Sequence, residues 1–329
     1  MRLELPLVAL SQPKRRHLNG GNDMQIFILH PGKANYPEID AYTKYFVRND
    51  CKVTSGTLDD YKKVKNPEEY VLWCIMGFYP RIPAAKYVIH DYRSLSVGRN
   101  SALKDSIKKT FQPRPDLRIF QNDSMSAVMG FRDGVDTVFL PMGVPDWIFA
   151  TDADRNQALP SGTYCYLGEI TRERGFVGFI RDFLAAKRDS DTLVLIGPVE
   201  KEISDAYLRS PGILFTGRLA QRDALAVVRN CEIAISTIPY KRPYDVQTPT
   251  KLLEYAALGK RIICNDSPSN LNAAAKFGIQ CKVTGPDVFS SICNFHGDMV
   301  PKNDPSTLLH LRWTDIIAAS GVERYLARL

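Results

Sequence analysis

The stretch TPTKLLEYAALGKRIICND combines a helix start suited to an anion with a single carboxylate. Pro249 fits the first turn of a helix, and Thr248 or Thr250 is expected to cap it. The backbone N–H groups of Thr250, Lys251 and Leu252 are then predicted to point outward, where they can bind an anion. The Lys251 side chain adds a positive charge at the same place.

Glu254 follows four positions after Thr250 and lies outside the apolar stripe of this predicted helix. The stripe consists of Leu252, Leu253, Ala256 and Ala257. A carboxylate in this place can accept hydrogen bonds from a ribose diol. The same spacing also fits a helix that is capped for its own stability and leaves Glu254 in solvent. Spacing alone leaves both interpretations open.

Two series of apolar segments alternate with helical segments, which predicts two doubly wound α/β domains. Their continuous apolar runs are typical of parallel strands covered on both faces. The first series of predicted strands is 25–30, 70–78, 85–90, 117–121 and 136–141. The second series is 162–168, 191–197, 212–217, 231–237, 261–266 and 279–284. The predicted helices are 101–110, 175–187, 201–209, 221–229, 250–259 and 269–276.

The pattern divides the chain into four parts. These are a disordered leader at 1–23, an N-terminal domain at 24–147, a C-terminal domain at 148–310 and a final helix at 311–329. The boundary is expected within residues 141–162, which are rich in Pro, Gly, Asp and Asn. A cleft between two such domains, at the carboxyl ends of both sheets, is the expected ligand site.

The amino-acid composition limits the class of protein and its expected location in the cell. Hydrophobic residues make up 44% and charged residues 24%, as in ordinary globular proteins. No apolar run approaches the ~18–20 residues of a membrane-spanning helix. The seven cysteines form no CxxC pair, which favours free thiols in the cytoplasm.

Basic residues concentrate in the segment 86–118, where eight of them stand against three acidic residues. Such a surface suits an anionic membrane, a nucleotide or an acidic glycan. A plain solvated face fits equally well. Nucleic acid is not expected as a partner because no DNA- or RNA-binding motif accompanies the charge. The predicted location is therefore cytoplasmic, with peripheral contact to the inner face of the plasma membrane.

The segment PTKLLEYAALGKRII resembles the conserved helix of retaining nucleotide-sugar glycosyltransferases with the GT-B fold, the large family that includes sucrose synthase and bacterial mannosyltransferases. Three further stretches resemble family motifs, in the expected order: TVFLPMGVPDWIF, GEITRERG and ILFTGRLAQRDALAVVRNCEIAIST. The ending LRWTDIIAASGVERYLARL is similar to the helix that crosses back to the N-terminal domain. The resemblance spans 25–329 and is strongest over 162–270.

This resemblance implies two Rossmann-like domains that face each other across a cleft. It implies transfer of a sugar from a nucleotide diphosphate, of UDP or GDP type, to a hydroxyl of a glycan or lipid-linked acceptor. The expected reaction retains the anomeric configuration, as in enzymes of bacterial surface-polysaccharide synthesis. It needs no metal and no other cofactor.

The resemblance also assigns roles to residues of the C-terminal domain. Glu254 matches the glutamate that binds the donor ribose, and Arg174 matches the lysine that contacts the donor phosphates. Gly217 matches the glycine whose loop lies near the nucleobase. Val246 stands where the family has a glutamate that contacts the sugar. Asp245, one residue away, is the expected substitute.

Two further matches lie in the N-terminal domain, and one family position is altered. Gly32 matches a turn glycine that approaches the phosphates and the acceptor. His90, with Asp91 to orient it, matches by layout a histidine that reaches the transferred sugar. Glu169 replaces a phosphate-binding arginine, and Arg172 is the nearby cation that can compensate.

Other readings stay open. An inverting enzyme would need a base, for which His30, His90 and Asp91 are the candidates. A nucleotide-sugar 2-epimerase uses the same fold but needs a carboxylate cluster that the sequence lacks. A binding or scaffold subunit without turnover fits the altered Glu169 and Val246. A dinucleotide dehydrogenase is disfavoured because no GxGxxG follows a strand.

Overall fold

The chain contains two six-stranded parallel sheets, which confirms the predicted doubly wound α/β class. This computed structural model describes residues 24–32, 36–98, 100–150, 157–289 and 299–329. The predicted leader at 1–23 and part of the predicted boundary at 141–162 lie outside the described residues.

The first sheet, which with its helices we call the N lobe, has the strand order β2-β1-β3-β4-β5-β6. Its strands are β1 (Gln25–Leu29), β2 (Lys52–Gly56), β3 (Tyr70–Ile75), β4 (Tyr87–Tyr92), β5 (Leu117–Phe120) and β6 (Asp136–Phe139). Its helices are α1 (Pro37–Arg48), α2 (Leu58–Tyr61), α3 (Ser101–Phe111), α4 (Asp123–Met129) and α5 (Trp147–Ala150), with a short 3₁₀ helix at Pro67–Glu69.

The second sheet, with its helices the C lobe, has the strand order β12-β11-β10-β7-β8-β9. Its strands are β7 (Tyr164–Leu167), β8 (Leu193–Ile196), β9 (Ile213–Gly217), β10 (Ile233–Ser236), β11 (Arg261–Asn265) and β12 (Lys282–Thr284). Its helices are α6 (Phe176–Ala186), α7 (Lys201–Tyr207), α8 (Gln221–Asn230), α9 (Thr250–Ala257) and α10 (Pro268–Phe277). The order reverses between β7 and β10, and ligands of open α/β sheets bind outside the strand ends at such a switch point.

Burial explains which strands the sequence predicts. The segments LRIF of β5, LVLI of β8 and IAIS of β10 are buried along their whole length, as expected for parallel strands covered on both faces. Strand β2, KVTSG, lies at the edge of its sheet and is largely exposed. Its polar sequence carries no apolar run, so apolar patterning does not predict it.

The C-terminal segment connects the lobes and is not the single helix predicted at 311–329. It forms a 3₁₀ helix (Pro305–Leu311), then α11 (Trp313–Ser320) and α12 (Glu323–Leu326). Gly321 separates the last two at a left-handed φ of +76°. The Trp313 ring packs 6.0 Å from the Tyr42 ring of α1.

No helix in the part of the chain that the structure describes is both long enough and apolar enough to cross a bilayer.

Candidate functional site

Helix α9 begins beyond the carboxyl end of β10, next to the switch point of the C lobe. The predicted threonine cap is wrong: Pro249 occupies the N-cap position and no side chain caps the helix. The Leu252 N–H donates to the Pro249 carbonyl oxygen at 2.9 Å, so the prediction that this amide points at a ligand is wrong as well. Within the described residues, the N–H groups of Thr250 and Lys251 have no partner. Two backbone donors are therefore available to an anion.

Lys251 places its ammonium beside β7. Its Nζ donates a 2.7 Å hydrogen bond to the Tyr166 hydroxyl and lies 4.1 Å from the centre of the Tyr166 ring. Burial lowers the pKa of Lys251, and the positive charge of Arg174 acts in the same direction. The Leu167 N–H of β7 donates to the hydroxyl of Tyr255 at 2.7 Å, which fixes α9 against the same strand.

Arg174 lies in the loop after β7 and is held by Glu169. Its Nη2 forms a 2.8 Å ion pair with Glu169 Oε2, and its guanidinium lies 4.9 Å from the centre of the Tyr244 ring. Glu169 therefore orients the cation and also offsets part of its charge. Arg172 is exposed, and its backbone N–H donates to Glu200.

Glu254 is buried, with 7% of its surface exposed, so the interpretation that leaves it in solvent is wrong. Gln221, the first residue of α8, donates from Nε2 to Glu254 Oε1 at 2.9 Å. Burial raises the pKa of Glu254 to about 7, against the opposing effects of the Gln221 hydrogen bond and the Lys251 charge. The carboxyl group therefore changes charge near neutral pH.

Glycines form the carboxyl edge of strands β7 to β9. A Cβ on Gly197 would lie 2.2 Å from the Gly168 carbonyl oxygen, so only glycine permits this close approach. The Gly197 N–H donates to the Gly217 carbonyl oxygen at 3.0 Å. Gly217 has a φ of +67° and faces open space where a side chain would project.

The loop before α9 carries two buried polar atoms without partners. Asp245 Oδ1 and Gln247 Nε2 make no hydrogen bond within the described residues. Buried polar atoms normally have a partner, so each of these atoms is a candidate ligand contact. The side chain of Val246, between them, packs against an N-lobe apolar cluster that includes Tyr92 and Phe120. A glutamate at this position would place a charge in that cluster.

The same loop binds the N lobe directly. Asn122, which follows β5, donates from Nδ2 to the Val246 carbonyl oxygen at 2.9 Å and to Thr248 Oγ1 at 3.3 Å. The Thr248 N–H donates to Gln121 Oε1 at 2.8 Å. These bonds lie only a few residues before the start of α9, so the position of the N lobe is coupled to the start of that helix.

His90 and Asp91 are not brought to this site. Both are buried in β4, where side chains alternate between the two faces of the sheet, so Asp91 does not orient His90. Asp91 accepts hydrogen bonds from Tyr42 at 2.9 Å and from Trp73 at 3.0 Å, and it pairs with Arg93 at 2.7 Å. The prediction that Asp91 serves in catalysis is wrong, because Tyr42, Trp73 and Arg93 already bind its carboxylate inside the core.

His90 also differs from its prediction. It lies within β4 rather than at its end, with 1% of its surface exposed. Burial, with the charge of Arg118, lowers the pKa of His90 to about 3. Its Nε2 is buried and has no partner among the described residues. In this arrangement His90 is a buried, neutral residue of β4, and its contact with a transferred sugar stays a prediction.

Gly32 and His30 form the turn after β1. Gly32 has a φ of +71°, which favours glycine, and its N–H donates to His30 Nδ1 at 3.2 Å. A Cβ at Gly32 would lie 3.4 Å from Thr57 Cγ2, an ordinary contact. The turn therefore needs glycine for its backbone angle, and its approach to a ligand stays a prediction.

Solved structures share this fold over most of the chain. AviGT4, a glycosyltransferase involved in avilamycin A biosynthesis, is 12% identical, with a TM-score of 0.62 over 93% of this chain and 98% of its own. Anabaena HepE in complex with UDP-glucose is 11% identical, with a TM-score of 0.64 over 93% of this chain and 100% of its own. Sucrose-phosphate synthase from Thermosynechococcus elongatus is 12% identical, with a TM-score of 0.62 over 93% and 98%. The chain has the GT-B fold.

No protein-family model and no curated protein matches the sequence. The GT-B fold nevertheless explains the layout of the candidate site, because both sheets direct their carboxyl ends into one cleft. Sequence reasoning missed Tyr166, Gln221 and Gln247 as site residues. Gln221 lies at the start of the predicted helix 221–229, and this position was the only sequence signal for it.

Proposed function

We propose that the chain is a glycosyltransferase that moves a sugar from a nucleotide diphosphate, of UDP or GDP type, to a hydroxyl acceptor. One observation carries the proposal: Arg174, Lys251 and the unpaired amides at the start of α9 converge at the C-lobe switch point, with Glu254 one turn later. The structural neighbours include HepE with UDP and glucose and HepE with UDP-glucose, which supports a nucleotide-sugar donor.

The positive groups act on the leaving diphosphate. Negative charge builds on its bridging oxygen as the bond to the sugar breaks, and donors fixed in advance stabilise that charge without reorganising. The amides of Thr250 and Lys251, the Lys251 ammonium and the Arg174 guanidinium are such donors. Because the chain supplies these cations itself, the proposed reaction does not depend on a metal ion.

The sugar and the acceptor are assigned to opposite sides of the cleft. Asp245 and Gln247 have unpaired polar atoms in the loop that precedes the phosphate site, and we assign them to the sugar hydroxyls. The acceptor, a glycan or lipid-linked hydroxyl, enters from the N lobe. A leaving phosphate oxygen takes the acceptor proton, which suits a site where His90 and Asp91 are buried. This route retains the anomeric configuration.

A thermal-shift screen tests donor binding. UDP and GDP are compared with ADP and with the free nucleosides, and one diphosphate is expected to raise the melting temperature. Binding to the native state at a hundredfold excess over Kd adds about 2.7 kcal/mol of stability. The variant Lys251→Ala/Arg174→Ala is expected to lose the shift while keeping its ligand-free melting temperature. Absence of any diphosphate-dependent shift in the parent contradicts the proposal.

A nucleotide-sugar-binding subunit without turnover is the second candidate. It is favoured by the Glu169–Arg174 ion pair, which places a carboxylate beside the phosphate cation. The two candidates differ in product formation. Transfer or slow hydrolysis of the bound donor, measured as released nucleotide diphosphate, supports the transferase, whereas donor binding with neither reaction supports the binding subunit.

A further inference from the structure

Helix α3 turns its apolar side chains toward solvent. Leu103, Ile107 and Phe111 stand four residues apart, so they form one stripe, and 59%, 38% and 63% of their surfaces are exposed. No residue of α3 is buried. A helix on the surface of a globular protein normally packs its apolar stripe on the core. Here Leu103 and Phe111 are mostly exposed and Ile107 is partly exposed.

Polar contacts hold α3 to the N lobe instead. Asp105 Oδ1 accepts from the Ser96 N–H at 3.0 Å, and Lys109 Nζ donates to the Gly130 carbonyl oxygen at 2.7 Å. At the end of the helix, Gln112 Nε2 donates to the Gly77 carbonyl oxygen at 3.3 Å. The outward orientation of the apolar stripe is therefore fixed by hydrogen bonds on the opposite side of the helix.

Other exposed apolar residues lie beside the helix. Lys104 Nζ donates to the Val97 carbonyl oxygen at 3.2 Å, and 55% of the Val97 surface is exposed. Phe78 follows Gly77, the residue bonded to Gln112, and 47% of its surface is exposed. The apolar surface thus extends past both ends of α3.

The charges along this surface are predominantly positive. Between Ser101 and Arg114 the chain has four basic residues and one acidic residue. Lys104 and Lys108 each follow directly after a residue of the stripe. Asp105, the acidic residue, is on the opposite side and bonds to Ser96. Apolar side chains flanked by lysines are the pattern of a helix that lies in the interface of an anionic membrane.

We propose that α3, with Phe78 and Val97, docks the N lobe on an anionic lipid surface. The apolar stripe enters the boundary between headgroups and acyl chains, while the long lysine side chains reach the lipid phosphates. At 11 residues α3 is too short to span a bilayer and lies in its plane. The proposal does not depend on glycosyl transfer, although it would bring the N lobe to a lipid-linked acceptor.

Vesicle flotation of the full chain tests the docking. The parent is expected to float with vesicles of phosphatidylcholine mixed with phosphatidylglycerol, not with phosphatidylcholine alone, and to dissociate as salt rises. Leu103→Gln/Ile107→Gln/Phe111→Gln is expected to abolish flotation. Leu208→Gln/Leu271→Gln, which changes exposed leucines of the C lobe, is expected to float like the parent. Melting temperature and the nucleotide-dependent thermal shift show that both variants are folded.

A lysine pair tests the electrostatic part. Lys104→Gln/Lys108→Gln is expected to weaken vesicle binding by about fivefold per lysine removed. The control Lys201→Gln/Lys276→Gln removes the same charge from the C lobe and is expected to bind like the parent. Failure of the parent to bind anionic vesicles at low salt overturns the proposal, as does unchanged binding of the triple glutamine variant. Stripe-dependent dimerisation without vesicle binding, measured by light scattering, overturns it in favour of a second copy.

Discussion

The amide of Gln221 donates a 2.9 Å hydrogen bond to Oε1 of the buried Glu254 carboxyl group. The bond joins the first turn of α8 to α9, so two helices of the C lobe fix the position of one carboxyl group. No donor to Glu254 Oε2 is found among the described residues. One oxygen is thus oriented by the protein, and the proposed function assigns the other to a ribose diol.

Nucleotide binding is expected to strengthen as pH rises through about 7. Burial raises the pKa of Glu254 to about 7, so its carboxylate fraction grows from about a tenth at pH 6 to about nine tenths at pH 8. If the ribose binds the carboxylate, the Kd for the nucleotide diphosphate falls by about tenfold over this range. Glu254→Gln is expected to bind more weakly and with a flat pH profile. Titration calorimetry at several pH values measures both.

The matched control is Glu38→Gln. Glu38 is also buried, and burial raises its pKa to about 7 as well. It belongs to α1, far along the chain from the C-lobe site, so the pH dependence of nucleotide binding is expected to persist in this variant. A parent whose Kd does not change with pH, or a Glu254→Gln variant with the parent's profile, contradicts the assigned role of Glu254.

The free energy of unfolding is expected to fall as pH rises, because burial raises the pKa of Glu254. The folded chain keeps the Glu254 proton at pH values where an unfolded glutamate has lost it, so folding takes up protons. The contribution of Glu254 to the free energy of unfolding is fully present below pH 4.5 and is lost as pH rises to about 7. The total loss is about 3 kcal/mol. Chemical denaturation at several pH values is expected to show a smaller loss for Glu254→Gln than for the parent. An equal loss of stability in the parent and in Glu254→Gln would contradict the raised pKa of Glu254.

The Glu169–Arg174 ion pair is expected to limit phosphate affinity. Glu169→Gln removes a negative charge beside Arg174, so the affinity for a nucleotide diphosphate is expected to increase.

Arg174→Ala is expected to lower turnover by about 10²–10³, the usual cost of losing one donor to a developing charge. Arg181→Ala, which changes an exposed arginine of α6, serves as the control and is expected to turn over like the parent. Equal losses in both arginine variants contradict the assignment.

The sequence predicts those parts of the structure that depend on local pattern. Buried strands such as LVLI of β8 are continuous apolar runs, and Pro249 marks the start of α9 in the sequence. Apolar patterning does not predict strand β2, because this strand lies at the edge of its sheet and its residues are mostly polar. His90 and Asp91 are adjacent in β4, and the two-residue period of a strand directs their side chains to opposite faces, so their proximity in sequence does not predict a shared site.

Contacts between distant segments account for the rest of the differences. The burial of Glu254 depends on Gln221, 33 residues earlier in the chain. Val246, where the resemblance implies a glutamate, packs against the N-lobe cluster. Spacing within one segment contains no information about either contact.

Asp245 and Gln247 are expected to distinguish the sugar from the nucleotide. Their unpaired buried atoms lie in the loop before α9, while the phosphate donors lie at its start and after β7. Asp245→Asn and Gln247→Ala are therefore expected to weaken binding of the nucleotide-sugar and to leave binding of the nucleotide diphosphate nearly unchanged. Calorimetry with both ligands measures the ratio of affinities. A parallel loss for both ligands would assign the loop to folding rather than to sugar recognition.

Asn122 is expected to couple the two lobes, and Asn122→Asp separates this role from its local one. Asn122 Oδ1 caps α4 by accepting from the Met125 N–H at 2.9 Å, and an aspartate keeps that cap. The aspartate lacks the amide that donates to Val246 and Thr248, and its oxygens repel theirs. We expect faster hydrogen exchange in the loop before α9, with exchange in α4 unchanged, and a raised KM for the donor. Asn122→Ala loses both contacts and is expected to increase exchange in α4 as well. Unchanged exchange in the loop of the aspartate variant would show that the lobes are held by other contacts.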